Sequence, residues 1–191
     1  MVPAGYLLKH VSPPPGWLTA GLKHIKDVCS VADCVNDNVI DVQGVWLHNS
    51  FGLANNPDVI GTLAVEGGAD VNKTTLFYYT AYELELESDG WNFDATCWRP
   101  RSPARSAAVD DNVLPPAAPS AVSLLGYDVV VFGDFLEHSP LSCNAVAEQL
   151  PVNEHCLMNT LEEAVAAIDQ GAFGGGCEEG TYTIFGVHLV R

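Results

Sequence analysis

Five prolines between Arg99 and Ser120 (Pro100, Pro103, Pro115, Pro116 and Pro119) lie among Ala and Ser and exclude both a regular helix and a central strand there. Each proline fixes φ and removes an N–H, so this stretch has little to offer a hydrogen-bond ladder. The chain must therefore build its structure on either side: an N-terminal α+β half over 1–98, a Pro/Ala-rich loop over 99–123, and a C-terminal β-β-α-β half over 124–191. At 191 residues and 48% hydrophobic composition there is enough apolar side chain for the halves to share one compact domain.

Local signals predict the elements. Gly5 to Val11 reads as a short strand, and Pro13-Pro14-Pro15-Gly16 as a turn or extended segment leading to Trp17. Val35, Val39, Val42 and Trp46 fall at helical spacing, with Gly44 counting against it. A better-marked helix begins after Asn56, with Pro57 at its first position, Asp58 in the first turn, Ile60, Leu63 and Ala64 on its stripe and Gly67-Gly68 at its end. Thr74 to Glu87 predicts a long strand running from core to solvent, and Trp91 to Trp98 its hairpin partner.

In the second half Tyr127 to Phe132 is a Val-rich strand expected to be buried on both faces. Thr160 to Gln170 predicts a helix opened by a Thr160–Glu163 capping box and closed by Gly171, and Thr181 to Val190 a central closing strand. The halves echo each other: a capped helix, a Gly-rich break, then Thr74-Thr75-Leu76-Phe77 in one and Thr181-Tyr182-Thr183-Ile184-Phe185 in the other. The expected fold class is α+β, a mixed, mainly antiparallel sheet to which both halves contribute, with two or three helices packed on it.

Charge restricts the partners. From Ser106 to Val190 the chain runs 85 residues without Lys or Arg while carrying twelve acids: Asp110, Asp111, Asp128, Asp134, Glu137, Glu148, Glu154, Glu162, Glu163, Asp169, Glu178 and Glu179. An anionic surface there repels nucleic acid and anionic membranes and gathers cations or a basic protein. Only 17% of residues are charged, so the net charge of −16 reflects scarce Lys and Arg, with mild adaptation to salt as the plain alternative. No window approaches the ~18 apolar residues of a membrane span and no signal-peptide pattern opens the chain, so a cytoplasmic protein is expected. Its six cysteines are then free thiols by default, although Cys29 and Cys34 are close enough in sequence to pair.

Reactive residue types concentrate in one segment, His138-Ser-Pro-Leu-Ser-Cys143-Asn144 followed by Pro151-Val-Asn153-Glu154-His155-Cys156-Leu157. The runs Ser139-Pro140-Leu141-Ser142-Cys143-Asn144 and Asn153-Glu154-His155-Cys156-Leu157, with the Glu-Glu-Ala helix and Tyr-x-Ile-Phe strand after them, resemble a group of small bacterial proteins without assigned activity. The segments around Trp17, Ser30 to Cys34, Trp46-Leu47-His48-Asn49 and Leu76-Phe77-Tyr78-Tyr79 are similar as well. That resemblance implies an architecture and supplies no function.

Three readings of the segment follow from its chemistry. Cys143, His155, Cys156 and Cys177, or His138, offer an N and S set for zinc, but without a C-x2-C or H-x3-H knuckle. Cys143 is a candidate thiol nucleophile with His155 or His138 as base and Asn144 or Asn153 orienting the ring, for hydrolysis or acyl transfer. The strongest reading is structural: Cys143 and Cys156 are core residues, Pro140, Asn144 and Asn153 fix turns, and His155 is hydrogen-bonded at a strand start. Gly174-Gly175-Gly176 follows a helix instead of leading into one and lacks a nearby Lys, so it is no phosphate cradle. Asp110-Asp111 and Glu178-Glu179 lack the alternating oxygens of a calcium loop.

The sequence thus favours a non-enzymatic acidic module docking a basic protein partner, in the manner of immunity proteins or antitoxins, through Asp134, Glu137, Glu154, Glu178 and Glu179. No cofactor is expected on that reading. The alternative is a small thiol- or zinc-dependent enzyme centred on Cys143 and His155, and a third possibility is a homodimer pairing through Thr74 to Glu87.

Overall fold

The computed structural model describes residues 1–11, 13–32, 34–35, 49, 51–88, 98–100, 116–132, 137–174 and 177–191. In chain order its elements are β1 (Val2–Lys9), α1 (Gly16–Thr19), α2 (Pro57–Glu66), a 3-10 turn (Val71–Lys73), β2 (Thr75–Ala81), β3 (Leu84–Ser88), β4 (Arg99–Pro100), β5 (Val122–Phe132), β6 (Glu137–His138), α3 (Pro140–Cys143), a second 3-10 turn (Val146–Glu148), α4 (Leu161–Asp169) and β7 (Gly180–Val190). This is an α+β fold, and every strand pairing described is antiparallel.

β7 is the axis of the sheet. β5 runs along one side of it from Val122↔Val190 to Phe132↔Thr181, while β2 and β3 share the other side. β1 lies outside β2, β4 outside β3 and β6 outside the end of β5. β7 is buried from Thr181 to Val187 because both faces are covered. On one face Tyr182 and Ile184 join Val129, Val131 and Leu86 beneath Ala164, Ala167 and Ile168 of α4. On the other, Phe185 and Val187 join Val130, Phe77 and Tyr79 beneath Val31, Phe51, Leu53 and Leu157. Phe185 anchors that layer, with ring centroids 5.8 Å from Phe51, 5.8 Å from Phe132 and 6.4 Å from Tyr79.

The capped helices form where their end signals stand. Asn56 accepts from the Asp58 N–H at 2.9 Å, and Thr160 and Glu163 close a full capping box at 3.1 and 3.2 Å. The first strand is displaced towards the N-terminus relative to Gly5–Val11. The predicted strand Thr74–Glu87 divides at Tyr82–Glu83, where the Tyr82 N–H bonds to the Ile184 carbonyl at 2.8 Å. β2 is flanked by β1 and β7, while β3 pairs β4 through Leu84 and Glu85 and β7 through Leu86 to Ser88. Arg99–Pro100 is strand, not loop; among the described residues it pairs β3 alone, and an edge position tolerates a missing proline N–H. The predicted helix over Val35–Trp46 and the hairpin partner Trp91–Trp98 lie, apart from Val35 and Trp98, outside the described residues. No helix among those described is long and apolar enough to cross a membrane.

The echo between the halves is a structural repeat. Asn49 accepts the N–H of Phe51 and Leu53 at 2.9 and 3.3 Å and donates to the Ala4 carbonyl at 2.6 Å. Asn153 accepts the N–H of His155 and Leu157 at 2.9 and 3.3 Å and donates to the Leu125 carbonyl at 2.8 Å. In both cases the carbonyl precedes a glycine at a register shift, Gly5 in β1 and Gly126 in β5, and the next residue bridges to the loop, Tyr6↔Ala54 and Tyr127↔Met158. Gly52 and Cys156 occupy the same loop position, both with positive φ, 70° and 58°. The central pairing is symmetric too: Phe77 faces Leu189 and Ala81 faces Phe185 about the Tyr79–Val187 pair.

The bulge glycines have no room for a side chain. A Cβ on Gly126 would stand 2.6 Å from the Met158 carbonyl and 2.8 Å from the Leu157 Cβ at φ +155°. We predict that Gly126→Ala lowers stability in urea denaturation by roughly 1–3 kcal/mol from backbone strain and by more from the clash. Gly68→Ala, at φ +81° with nothing within 4 Å, incurs only the strain and is the control.

Candidate functional site

Lys9, at the end of β1, is fully buried, and its ammonium donates to the carbonyls of Ser30, Val31 and Ala32 at 2.7, 2.9 and 2.8 Å. A buried ammonium is tolerable only when its donors are satisfied. Asp128, equally buried on β5, accepts from the Ser30 hydroxyl at 2.8 Å, the Val31 N–H at 2.9 Å and the Ser139 hydroxyl at 2.5 Å. Burial pushes its carboxyl up, while the bonds from Ser139, Val31 and Ser30, then the charge of Lys9, oppose the rise. Asp128 therefore does not contribute to the anionic surface expected of its segment.

This network fixes two arms of the chain. One runs from Ser30–Ala32 to Cys34; the other runs from Ser139 back to His138 and forward through α3 to Cys143. They meet in a Cys34–Cys143 disulfide with Cα atoms 6.1 Å apart, and His138 Nδ1 lies 3.5 Å from Cys34 Sγ. Cys34 is exposed, and His138 and Cys143 are partly so. The expectation of free thiols therefore does not hold for Cys34 and Cys143, and the Cys29–Cys34 pairing that sequence proximity allowed is not made, because Cys29 turns into the core while the arm carries Cys34 outward. Cys143 likewise is not a free core residue.

A second cluster holds His155. Its Nδ1 lies 2.6 Å from Asp27 Oδ1, which also accepts from the Cys29 thiol at 3.3 Å. Backbone bonds from Lys26 to Glu154, at 2.8 Å, and from Cys29 to His155, at 3.1 Å, lay these segments together. Burial, then the charge and hydrogen bond of Asp27, drive the Cys29 thiol far above its ordinary range. Among the described residues these two clusters are the places where three donor atoms lie within 4.8 Å of one another.

The sequence-predicted residues separate between them. Cys143 stands with Cys34 and His138, whereas His155 stands with Asp27 and Cys29, so the proposed Cys143–His155 pair is not assembled. Cys156 packs in the core and its thiol is pushed up to about 12 by burial; Cys177 is partly buried and pushed up to about 11 for the same reason. Neither joins Cys143 or His155 in a metal-binding cluster. Asn153 serves the strand bulge, and Asn144 donates to Glu178 at 3.2 Å. Glu154 pairs with Lys26, and Glu179 is exposed. Asp134 and the side chain of Glu137 lie outside the described residues.

Sequence reasoning missed Cys34 as the partner of Cys143, 109 residues away, and missed Lys9, Ser30, Asp128 and Ser139 as their support. The one local hint was the pairing of His138 with Cys143 across the Ser139-Pro140 turn. Comparison with protein-family models, with curated proteins and with solved structures finds no match to this chain.

Replacing Lys9 by Met would leave three carbonyls unmet and Asp128 without its countercharge. We expect a loss of about 3–5 kcal/mol in chemical denaturation, together with faster dithiol reduction of Cys34–Cys143, measured by the release of free thiol.

Proposed function

We propose that this protein is a non-enzymatic module that docks a basic protein partner, in the manner of immunity or antitoxin proteins, and that it works in the cytoplasm. The supporting observation is the end of α4. Asp169 sits exposed at the helix C-terminus, with no basic residue in the last turn. A carboxylate at the negative pole of a helix is unfavourable by roughly 0.3–1 kcal/mol, and a partner's Lys or Arg relieves it. Trp98 adds an aromatic edge, donating to Asp169 at 2.7 Å and stacking edge-on against Tyr82 at 6.0 Å. Glu162 and Glu179 are exposed as well, while Glu154 is occupied by Lys26. Among the described cations, Lys9 is buried, Lys26 pairs with Glu154 and Lys73 with Asp70, while Arg99 follows Trp98 at the edge of this face.

An oligoarginine peptide titrated into the isotope-labelled protein tests this reading. Amide shifts are expected to concentrate at Asp169, Trp98 and Glu178–Glu179 and to fade as salt rises. Asp169→Lys should weaken binding about threefold to fivefold relative to Glu148→Lys, an equal charge change at an exposed carboxylate outside the α-helices. Shifts spread evenly over the surface, or equal effects of the two reversals, would overturn it.

A further inference from the structure

We propose that Cys34, Cys143 and His138 form a three-ligand Zn²⁺ site once the Cys34–Cys143 bond is reduced, with the fourth position open to solvent. The site is independent of the docking face. Two thiolates and an imidazole are the donor set of an open zinc centre. With Zn–S near 2.3 Å and Zn–N near 2.0 Å at tetrahedral angles, sulfur and nitrogen stand about 3.5 Å apart, and Cys34 Sγ and His138 Nδ1 are 3.5 Å apart. The three donor atoms lie within 4.8 Å of one another. Cys34 is exposed, and among the described residues no further His, Cys, Asp or Glu joins the cluster.

Preorganisation is the second support. Asp128 holds both arms at once, the Cys34 arm through Ser30 and the Val31 N–H, and the His138–Cys143 arm through Ser139. A single buried carboxylate therefore sets the spacing between ligands drawn from distant segments, as positioning shells do at metal sites. The Ser142 hydroxyl, 3.9 Å from Cys143 Sγ, is a further polar neighbour of that sulfur.

The chemistry balances with a dithiol as reductant. The dithiol takes up the Cys34–Cys143 bond, closing to its own cyclic disulfide and leaving two protein thiols. Each thiol then releases its proton to solvent as its sulfur binds the metal, so one Zn²⁺ enters and two protons leave. Binding accordingly strengthens as pH rises.

The test uses the full chain, reduced with dithiothreitol, freed of reductant without air, and titrated with Co²⁺. One equivalent should develop thiolate-to-cobalt charge transfer and tetrahedral d–d bands, which Zn²⁺ then displaces; the oxidised chain should show neither. Cys34→Ser and Cys143→Ser should abolish the bands, and His138→Ala should weaken binding by more than the roughly 10–100-fold typical of outer-shell losses. Cys177→Ser should change nothing. A variant-free measurement guards against misfolding: in the reduced wild-type chain Zn²⁺ should protect Cys34 and Cys143, and no other cysteine, from iodoacetamide. Absence of bands and of protection, or bands that survive in Cys34→Ser, would overturn the proposal.

Discussion

A single asparagine amide, used twice, organises this fold. Its oxygen takes two loop N–H groups and its nitrogen donates to a carbonyl beside a strand bulge, so a buried turn leaves few backbone groups unmet. The bulge requires glycine, the glycine admits the loop against the strand, and the loop delivers the chain to a helix cap two residues past the bridge. Because the arrangement recurs, the last strands of the two halves meet as an antiparallel pair centred on Tyr79 and Val187. The clusters on both faces of the sheet draw side chains from each half.

Repetition also separates structural residues from those free to do something else. His155 and Cys156 stand where the first half has Phe51 and Gly52, and Cys156 adopts the same left-handed backbone as that glycine. Reactive side chains at these positions are thus part of a loop whose geometry does not need their chemistry. The reverse holds for the polar network. With Tyr6 matched to Tyr127, Leu7 corresponds to Asp128 and Lys9 to Val130. The buried charges exist where the two copies differ, and they support the arm ending at Cys34. Symmetry explains the scaffold, and its local breakdown explains the sulfur cluster.

The parts of this architecture legible in sequence were those with local causes. Asn56-Pro57 and Thr160 with Glu163 announce helix starts because a cap is a contact within one turn. Tyr127–Phe132 announces a buried strand because Val129–Phe132 is a continuous apolar run, although its exposed beginning at Val122 carries no such mark. The site was not legible. A lysine near the N-terminus is a surface residue by default, and only the carbonyls of Ser30, Val31 and Ala32, brought up by the fold, make Lys9 a core residue. Cys29 and Cys34 are close enough in sequence to pair, yet proximity in sequence says nothing about which sulfur faces the core. The acidic run predicted a surface field, but Asp128 in its middle was recruited inward by hydroxyls from Ser139, 11 residues on, and Ser30, 98 residues back.

Net charge and metal affinity are separate matters here. A charge of −16 draws cations towards the protein, but at physiological ionic strength that attraction is screened beyond about 8 Å. It raises the frequency of encounter and does not choose among ions. Magnesium and calcium, the commonest divalent cations such a field would gather, prefer oxygen ligands at octahedral or larger coordination. Two thiolates and an imidazole instead favour borderline and soft metals in tetrahedral geometry. Selectivity at Cys34, Cys143 and His138 therefore rests on donor type and on the rigidity that Asp128 imparts to both arms. The carboxylates on α4 remain a separate feature, suited to matching a basic surface over a broad area rather than to holding one ion.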